Sequence, residues 1–287
     1  METDRPGRTA PRHNLSMAGT LYLVATPIGN LEDITLRALG VLREADLIAC
    51  EDTRQTRKLL DHYGIHKPTT SYHEHNEALR ASELIEKLEA GSNIALVSDA
   101  GTPLVSDPGY RLVRKAIDRG IRVEPAPGPS AALAALAASG LPTDEFHFAG
   151  FLPSRPAERR KTLARLKDEG ATLIFYEAPH RILATLADIE AVLGPRPVVL
   201  ARELTKIHEE FLRGSAAELG KARIPLKGEF TVLVGKAEQP QAEQRVPIPE
   251  AVEAYTRSGM SRMDAMKAVA RERGISKRDV YRELERR

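Results

Sequence analysis

The chain has 287 residues, 42% apolar and 29% charged, with a formal net charge of +2 and no tryptophan. Its one cysteine, Cys50, excludes an internal disulfide, and no apolar run approaches the ~20 residues of a membrane-spanning helix. With no secretory leader pattern the expected compartment is the cytoplasm, and the length suggests two domains plus an extra element.

The first 18 residues, with Pro6, Arg8, Pro11 and Arg12, lack periodicity and read as a mobile tail. Strands are expected at 21–25, 47–50, 69–72, 94–98 and 122–124. Helical spacing marks 35–44, 53–63, 76–90, 110–119 and 131–139. This alternation predicts a mainly parallel sheet with helices on both faces, in an α/β domain spanning 19–142. A second α/β domain is expected over 143–238. It has strands at 146–150, 171–176 and 197–201, a strongly basic helix at 156–167 and another helix at 181–192. No full-length helix separates 211–214 from 229–234, so both are expected to close that sheet as antiparallel strands. Residues 239–244 read as a linker. The remainder, to 287, reads as a helical appendage: one helix starts at 249, and others span 262–273 and 277–286. Gly259 and Gly274 break it, and Ser261 and Ser276 are suited to cap it. The two helices joined at Gly274 resemble a helix-turn-helix.

Most of the unusual residues follow the strand-like runs. Residues 98–109 read SDAGTPLVSDPG, with two prolines, two glycines and two aspartates directly after the apolar run 94–97. A loop with that much backbone control, at the end of a buried strand, is where an α/β protein holds its ligand. TPIGNLEDIT at 26–35 is a turn shaped by Pro27 and Gly29, and it carries neither a dinucleotide fingerprint nor a Walker loop. EDTRQT at 51–56 sets two carboxylates beside Arg54, a candidate for a phosphate or an acidic ligand. His73, Glu74, His75 and Glu77 match no zinc spacing, so no metal is expected and a polar grip on substrate is the better reading. YEAPHR at 176–181, ARELTKIHEE at 201–210 and KGEF at 227–230 put dense charge at further strand ends, which suggests one shared polar cleft. No Gly-x-Ser-x-Gly elbow supports serine hydrolysis.

Taken in order, TPIGNLEDIT, EDTRQT, SDAGTPLVSDPG, PGPSA at 127–131, GFLP at 150–153, YEAPHR, ARELTKIHE and KGEF resemble the bacterial small-subunit ribosomal RNA cytidine 2′-O-ribose methyltransferases, of the tetrapyrrole-methylase-like superfamily. The resemblance covers about residues 20–236. It implies two unlike α/β domains binding S-adenosylmethionine in the cleft between them, a homodimer, and action on a cytidine of 16S ribosomal RNA in the decoding centre, on naked RNA or on the small subunit. By motif, it assigns Pro27, Asp99, Gly101, Thr102, Ser130, Ala131, Tyr176, Ala201 and Gly228 to the cofactor. Glu177, Glu203 and Lys206 are candidates for the base, with Arg202 orienting the sugar-phosphate. Arg54, His73, Arg155, Arg159, Arg160, Lys277 and Arg278 are candidate RNA-binding residues. Competing readings are a tetrapyrrole or protein side-chain methyltransferase of the same superfamily, and a non-catalytic RNA-binding factor. EDTRQT and YEAPHR argue against the former.

Overall fold

The computed structural model describes residues 18–237 and 246–285. The expected tail, but for Ala18, and the 239–244 linker fall outside the described residues. Those up to Ala237 form one compact unit and those after it a second.

The first unit holds two five-stranded sheets. In the first, β1 (Thr20–Val24), β2 (Leu47–Cys50), β3 (Thr69–Ser71), β4 (Ile94–Val97) and β5 (Arg122–Ala126) are all parallel, in the order β3-β2-β4-β1-β5. Every residue of β4 is buried, as a central parallel strand requires. Helices α1 (Leu36–Glu44) and α2 (Thr53–His62) pack Leu39, Leu42, Leu59 and Leu60 on one face. On the other, α3 (Glu77–Glu89) and α4 (Tyr110–Asp118) pack Leu84, Leu88 and Leu112. From β1 the chain turns toward β2, and from β4 it turns the opposite way, toward β5. The adjacent β1 and β4 therefore make a topological switch point, and the crevice at their carboxyl ends is open for a ligand.

The second sheet has β6 (Phe146–Phe151), β7 (Thr172–Glu177), β8 (Pro197–Arg202), β9 (Glu210–Ser215) and β10 (Phe230–Val234), in the order β6-β7-β10-β8-β9. Strand β9 runs antiparallel to β8, as expected. Strand β10 is antiparallel too, yet it inserts between β7 and β8 instead of closing an edge. Its five residues, FTVLV, are buried throughout, and such a run belongs at a sheet centre. Helices α6 (Pro156–Arg165), α7 (Ile182–Leu193) and the short α8 (Ala216–Lys221) cover one face. The sequence reading missed α8, although its Ser215–Glu218 capping box was readable as S-x-x-E. The opposite face is covered by α5 (Ala131–Ser139), whose Ala132, Ala135 and Leu136 pack on Ile174, Val199 and Leu233. Alanine-rich α5 follows the first sheet in sequence but lies on the second, and so ties the two together.

The second unit is a cluster of α9 (Ile248–Arg257), α10 (Arg262–Arg273) and α11 (Lys277–Glu285) around Val252, Met266, Val269 and Val280. The Ser261 hydroxyl accepts from the Asp264 N–H, and Ser276 does the same for Asp279. Gly274 ends α10 with φ +65°, a left-handed conformation that costs glycine little. No described helix is long and apolar enough to cross a membrane.

Candidate active site

At the switch point the two loops are pinned to each other. The Thr26 N–H donates to the Gly101 carbonyl at 2.8 Å, and the Gly101 N–H returns a bond to the Thr26 carbonyl at 3.0 Å. The Thr26 hydroxyl adds a bond to the Ser98 carbonyl at 3.1 Å. Gly101 has φ +83°, and a Cβ there would lie 3.4 Å from the Ile28 side chain. Glycine thus permits the left-handed turn, with room at that point for ordinary contact only.

The TPIGN loop also meets the loop after β8. The Asn30 N–H donates to the Thr205 hydroxyl at 2.9 Å. A Cβ on Gly29 would fall 2.5 Å from Lys206 Cγ and 2.8 Å from the Leu204 carbonyl oxygen. Glu209 accepts from the Thr205 N–H at 2.6 Å, and Lys206 donates to Glu203 at 2.9 Å and to Glu229 at 3.1 Å. Among the described residues, four non-glycine residues have positive φ: Leu104, Ser106, Glu203 and Thr205. All four lie on the loops after β4 and β8. Such strain persists only where surrounding structure holds it, and it gathers at ligand sites.

These loops and the end of the second sheet enclose one cavity of about 360 Å³. The first sheet contributes Ile28, Asp99, Gly101, Thr102, Ser106 and Asp107, and Ser130 and Ala131 enter from the start of α5. The second sheet contributes Phe151, Tyr176, Ala201, Phe230 and Thr231. Aromatic edges from β6 and β7 meet here, with the Phe151 and Tyr176 ring centroids 5.5 Å apart. The second-sheet wall is mainly aromatic but includes Glu229, and the first-sheet wall carries Asp99 and Asp107, an arrangement suited to a ligand with an aromatic part and a positive charge.

The charge on the first wall is unbalanced. Burial first, then the neighbouring Glu51, pushes the Asp107 carboxyl up to about 6. Burial and then Asp99 raise Glu51 as well. Crowded carboxylates resist ionising, and a cation entering the crevice would relieve them. Asp52 is set apart, because bonds from the Arg54 guanidinium hold it down at about 2.

A family profile described as "Tetrapyrrole (Corrin/Porphyrin) Methylases" matches residues 20–220. The ribosomal RNA small subunit methyltransferase I of Halalkalibacterium halodurans is 52% identical over 271 residues, spanning 92% of this chain and 93% of its own. That of Mesorhizobium japonicum is 53% identical over 272 residues, 92% of this chain and 90% of its own. The chain belongs to the tetrapyrrole methylase family, among the ribosomal RNA small subunit methyltransferases I. A solved uroporphyrin-III C-methyltransferase from Thermus thermophilus shares the fold, with TM-score 0.55 and 24% identity over 76% of this chain and 95% of that one.

In this methylase fold, seven of the nine residues matched to the cofactor line this cavity: Asp99, Gly101, Thr102, Ser130, Ala131, Tyr176 and Ala201. Pro27 and Gly228 stand behind the wall, which at those points is Ile28 and Glu229. Gly228 has φ +84°, and a Cβ on it would come within 2.4 Å of the Glu203 carboxyl.

The candidate bases fare differently. The Glu177 side chain is 0% exposed and turns toward α7. One oxygen accepts from the Ala178 N–H at 2.8 Å and from Arg181 Nε at 2.7 Å, and the other accepts from the Thr185 hydroxyl at 2.6 Å. With both oxygens engaged it is a buried anchor, which corrects the expectation of a base. Burial alone would lower Lys206, but its bonds to Glu203 and Glu229 outweigh that and hold the ammonium above its ordinary value. The same bond keeps Glu203 below the usual carboxylate range. Their mutual bond holds both in the charged form. Arg202 is tied to Glu210 at 3.3 Å, beside the cavity.

Of the RNA candidates, Arg159 is 3% exposed and donates to Asp188 at 2.7 Å, so it braces α6 against α7 and is withdrawn from any phosphate. Arg155 is exposed, and Arg160, 52% exposed, reaches Asp188 from the surface. Arg54 is 87% exposed on the same sheet edge as the cavity. His73 is half-buried, 3.1 Å from the Asn76 amide. Lys277 and Arg278 are exposed at the start of α11, in the second unit. Among the described residues no His, Cys, Asp and Glu converge as a metal would need. The sequence reading missed Asp107, Ser106, Phe151 and Thr231 as cavity residues. Asp107 lay within SDAGTPLVSDPG and Phe151 within GFLP, so their motifs were noticed but their side chains were not.

Proposed function

We propose that this protein is an S-adenosylmethionine-dependent methyltransferase acting on the ribose 2′-oxygen of a cytidine in 16S ribosomal RNA. One observation carries the reading: loops from the two sheets, pinned at Thr26–Gly101 and joined at Asn30–Thr205, enclose one cavity with a carboxylate wall and an aromatic wall. The relatives that share half of this sequence along nearly their full length bear the name ribosomal RNA small subunit methyltransferase I.

The residues present fit the cofactor. It is a sulfonium with an ammonium, a carboxylate and an adenine. The bare Gly101 leaves the crevice open to a ligand, and Asp99 lies beside it. Tyr176, Phe151 and Ile28 offer apolar surface to the adenine. When bound, it supplies an already activated methyl group, so the protein's part is to orient the sugar oxygen and remove its proton. Arg54, Arg155 and Arg160 are exposed cations suited to flanking phosphates. We place the protein in the cytoplasm as a homodimer, with 16S RNA or the assembled small subunit as substrate.

The test is methyl transfer from labelled cofactor to small subunits of a strain lacking the gene, followed by mass mapping of the nucleoside. A 2′-O-methylcytidine restored by the protein supports the reading. Label on a base, on protein or on a tetrapyrrole, or no transfer at all, overturns it.

A further inference from the structure

Two carboxylates in the cleft, Asp107 and Glu229, have no part in the motif assignment, and Glu229 is paired with Lys206. Asp107 lines the cavity from the far end of the loop after β4. Its neighbour Ser106 sits at φ +68° and Leu104 at φ +72°. The Ser106 hydroxyl lies 3.0 Å from where a Cβ on Gly150 would stand, so β6 closes against this segment. Burial is the main reason the Tyr176 phenol on the opposite wall is raised, and the Asp107 charge adds to it. Two left-handed residues just before it thus shape the loop that carries this carboxylate to the cavity.

Of the other carboxylates that line the cavity, Glu177 and Glu229 are ion-paired. Glu177 has three donors. Glu229 is paired with Lys206. Asp99 accepts from the Asp52 N–H at 3.0 Å. The Ser98 hydroxyl beside Asp107 bonds the Ala100 and Gly101 carbonyls, and among the described residues neither Asp107 nor Asp99 has an ion-pair partner.

We propose that Asp107 is the base of the methyl transfer, accepting the proton of the ribose 2′-hydroxyl; this rests on the 2′-O-methylation reading above. In that step the oxygen–hydrogen bond breaks and its proton passes to the Asp107 carboxylate. The freed electron pair forms the oxygen–methyl bond. The methyl–sulfur bond breaks and its pair stays on sulfur, leaving a neutral thioether. Charge balances, since one sulfonium and one carboxylate are consumed and a neutral thioether and a carboxylic acid are formed.

The electrostatics support the assignment. Glu51 and Asp99 on the same edge, Tyr176 across the cleft and the Ser98 hydroxyl are the groups that face Asp107, and Glu74 and His73 act on Glu51. Burial and the like charges hold the Asp107 carboxyl near 6, above an ordinary aspartate. A base with that affinity is still ionised at pH 7 and takes a proton more readily.

The experiment compares Asp107→Asn and Asp107→Glu with wild type, by methylation rate against pH and by calorimetric binding of S-adenosylhomocysteine, which has no methyl to give. Asp107→Asn should fold at least as well at pH 8, because it removes a charge that the folded state resists. A fall of about 10²–10⁴-fold in kcat/KM is expected, with affinity for the homocysteine analogue within about threefold of wild type. The wild-type acid limb should vanish, and Asp107→Glu should restore part of the rate together with an acid limb. An Asn variant with wild-type rate and acid limb overturns the proposal, as does a loss of analogue affinity as large as the loss of rate. If wild type itself forms no 2′-O-methylcytidine, the functional reading fails first, and the nucleoside analysis of wild type makes that failure distinct.

Discussion

Replacing Glu177 with Gln separates a structural role from a chemical one. The carboxylate is fully enclosed, and its partner Arg181 is itself only 18% exposed. The substitution keeps shape and an acceptor but removes the charge that offsets the guanidinium. It also places an NH₂ group where Thr185 or Arg181 now donates. Breaking a buried pair from one side costs about 3–5 kcal/mol. The Thr185 hydroxyl can rotate to accept, so the lower figure applies, about 3 kcal/mol. For a unit of this size that is a fall in Tm of about 6–12 °C. Thermal unfolding followed by circular dichroism measures it. A companion variant, Glu177→Leu with Arg181→Met, removes both charges and should recover most of the loss, since an apolar pair replaces an ion pair at little cost. An unchanged melt in Glu177→Gln, together with a hundredfold loss of methyl transfer, would refute this reasoning and return Glu177 to the chemistry.

The basic helix α6 supplies a paired prediction. Arg159→Met should lower Tm while leaving the salt dependence of RNA binding unchanged, because its charge meets Asp188 and not solvent. Arg155→Glu with Arg160→Glu should leave Tm nearly unchanged and weaken binding, with the slope of log affinity against log salt falling by about one for each phosphate no longer neutralised; fluorescence anisotropy across a salt series distinguishes the two. Gly29→Ala should push the first-strand loop from Leu204 and Lys206. At about 1–3 kcal/mol of overpacking, calorimetry should find cofactor affinity reduced about tenfold, and an unchanged affinity would show that the loops need not touch. Lys277→Glu with Arg278→Glu should reduce RNA affinity at low salt and leave cofactor affinity intact; unchanged RNA affinity would remove α11 from the RNA surface.

Much of the fold was legible because period and punctuation agree. Apolar runs of four or five residues, each closed by glycine, proline or aspartate, marked the strands and the loops that carry the site. What stayed hidden depended on partners distant in sequence. Nothing in FTVLV alone tells an edge strand from the centre strand that β10 is, although an unbroken apolar run argues for the centre. Nor does an alanine helix say which sheet it will cover. Two errors were avoidable on periodicity. Arg159 stands four and seven residues before Leu163 and Leu166, on the buried face of α6, while Arg160 does not share its burial; Arg155, four residues earlier, is exposed because it is the N-cap. Glu177 alternates with Tyr176, so it shares a face with Leu173 and Phe175, which the helices cover, whereas Tyr176 faces the cavity. Counting charged residues at strand ends found the right edge of the molecule. Counting by twos along β7, and by three or four within α6, would have marked Glu177 and Arg159 as side chains that hold the walls in place. Asp107 shows where such counting stops: its place in the cleft is set by the backbone of a loop with two left-handed residues, and no period reports that.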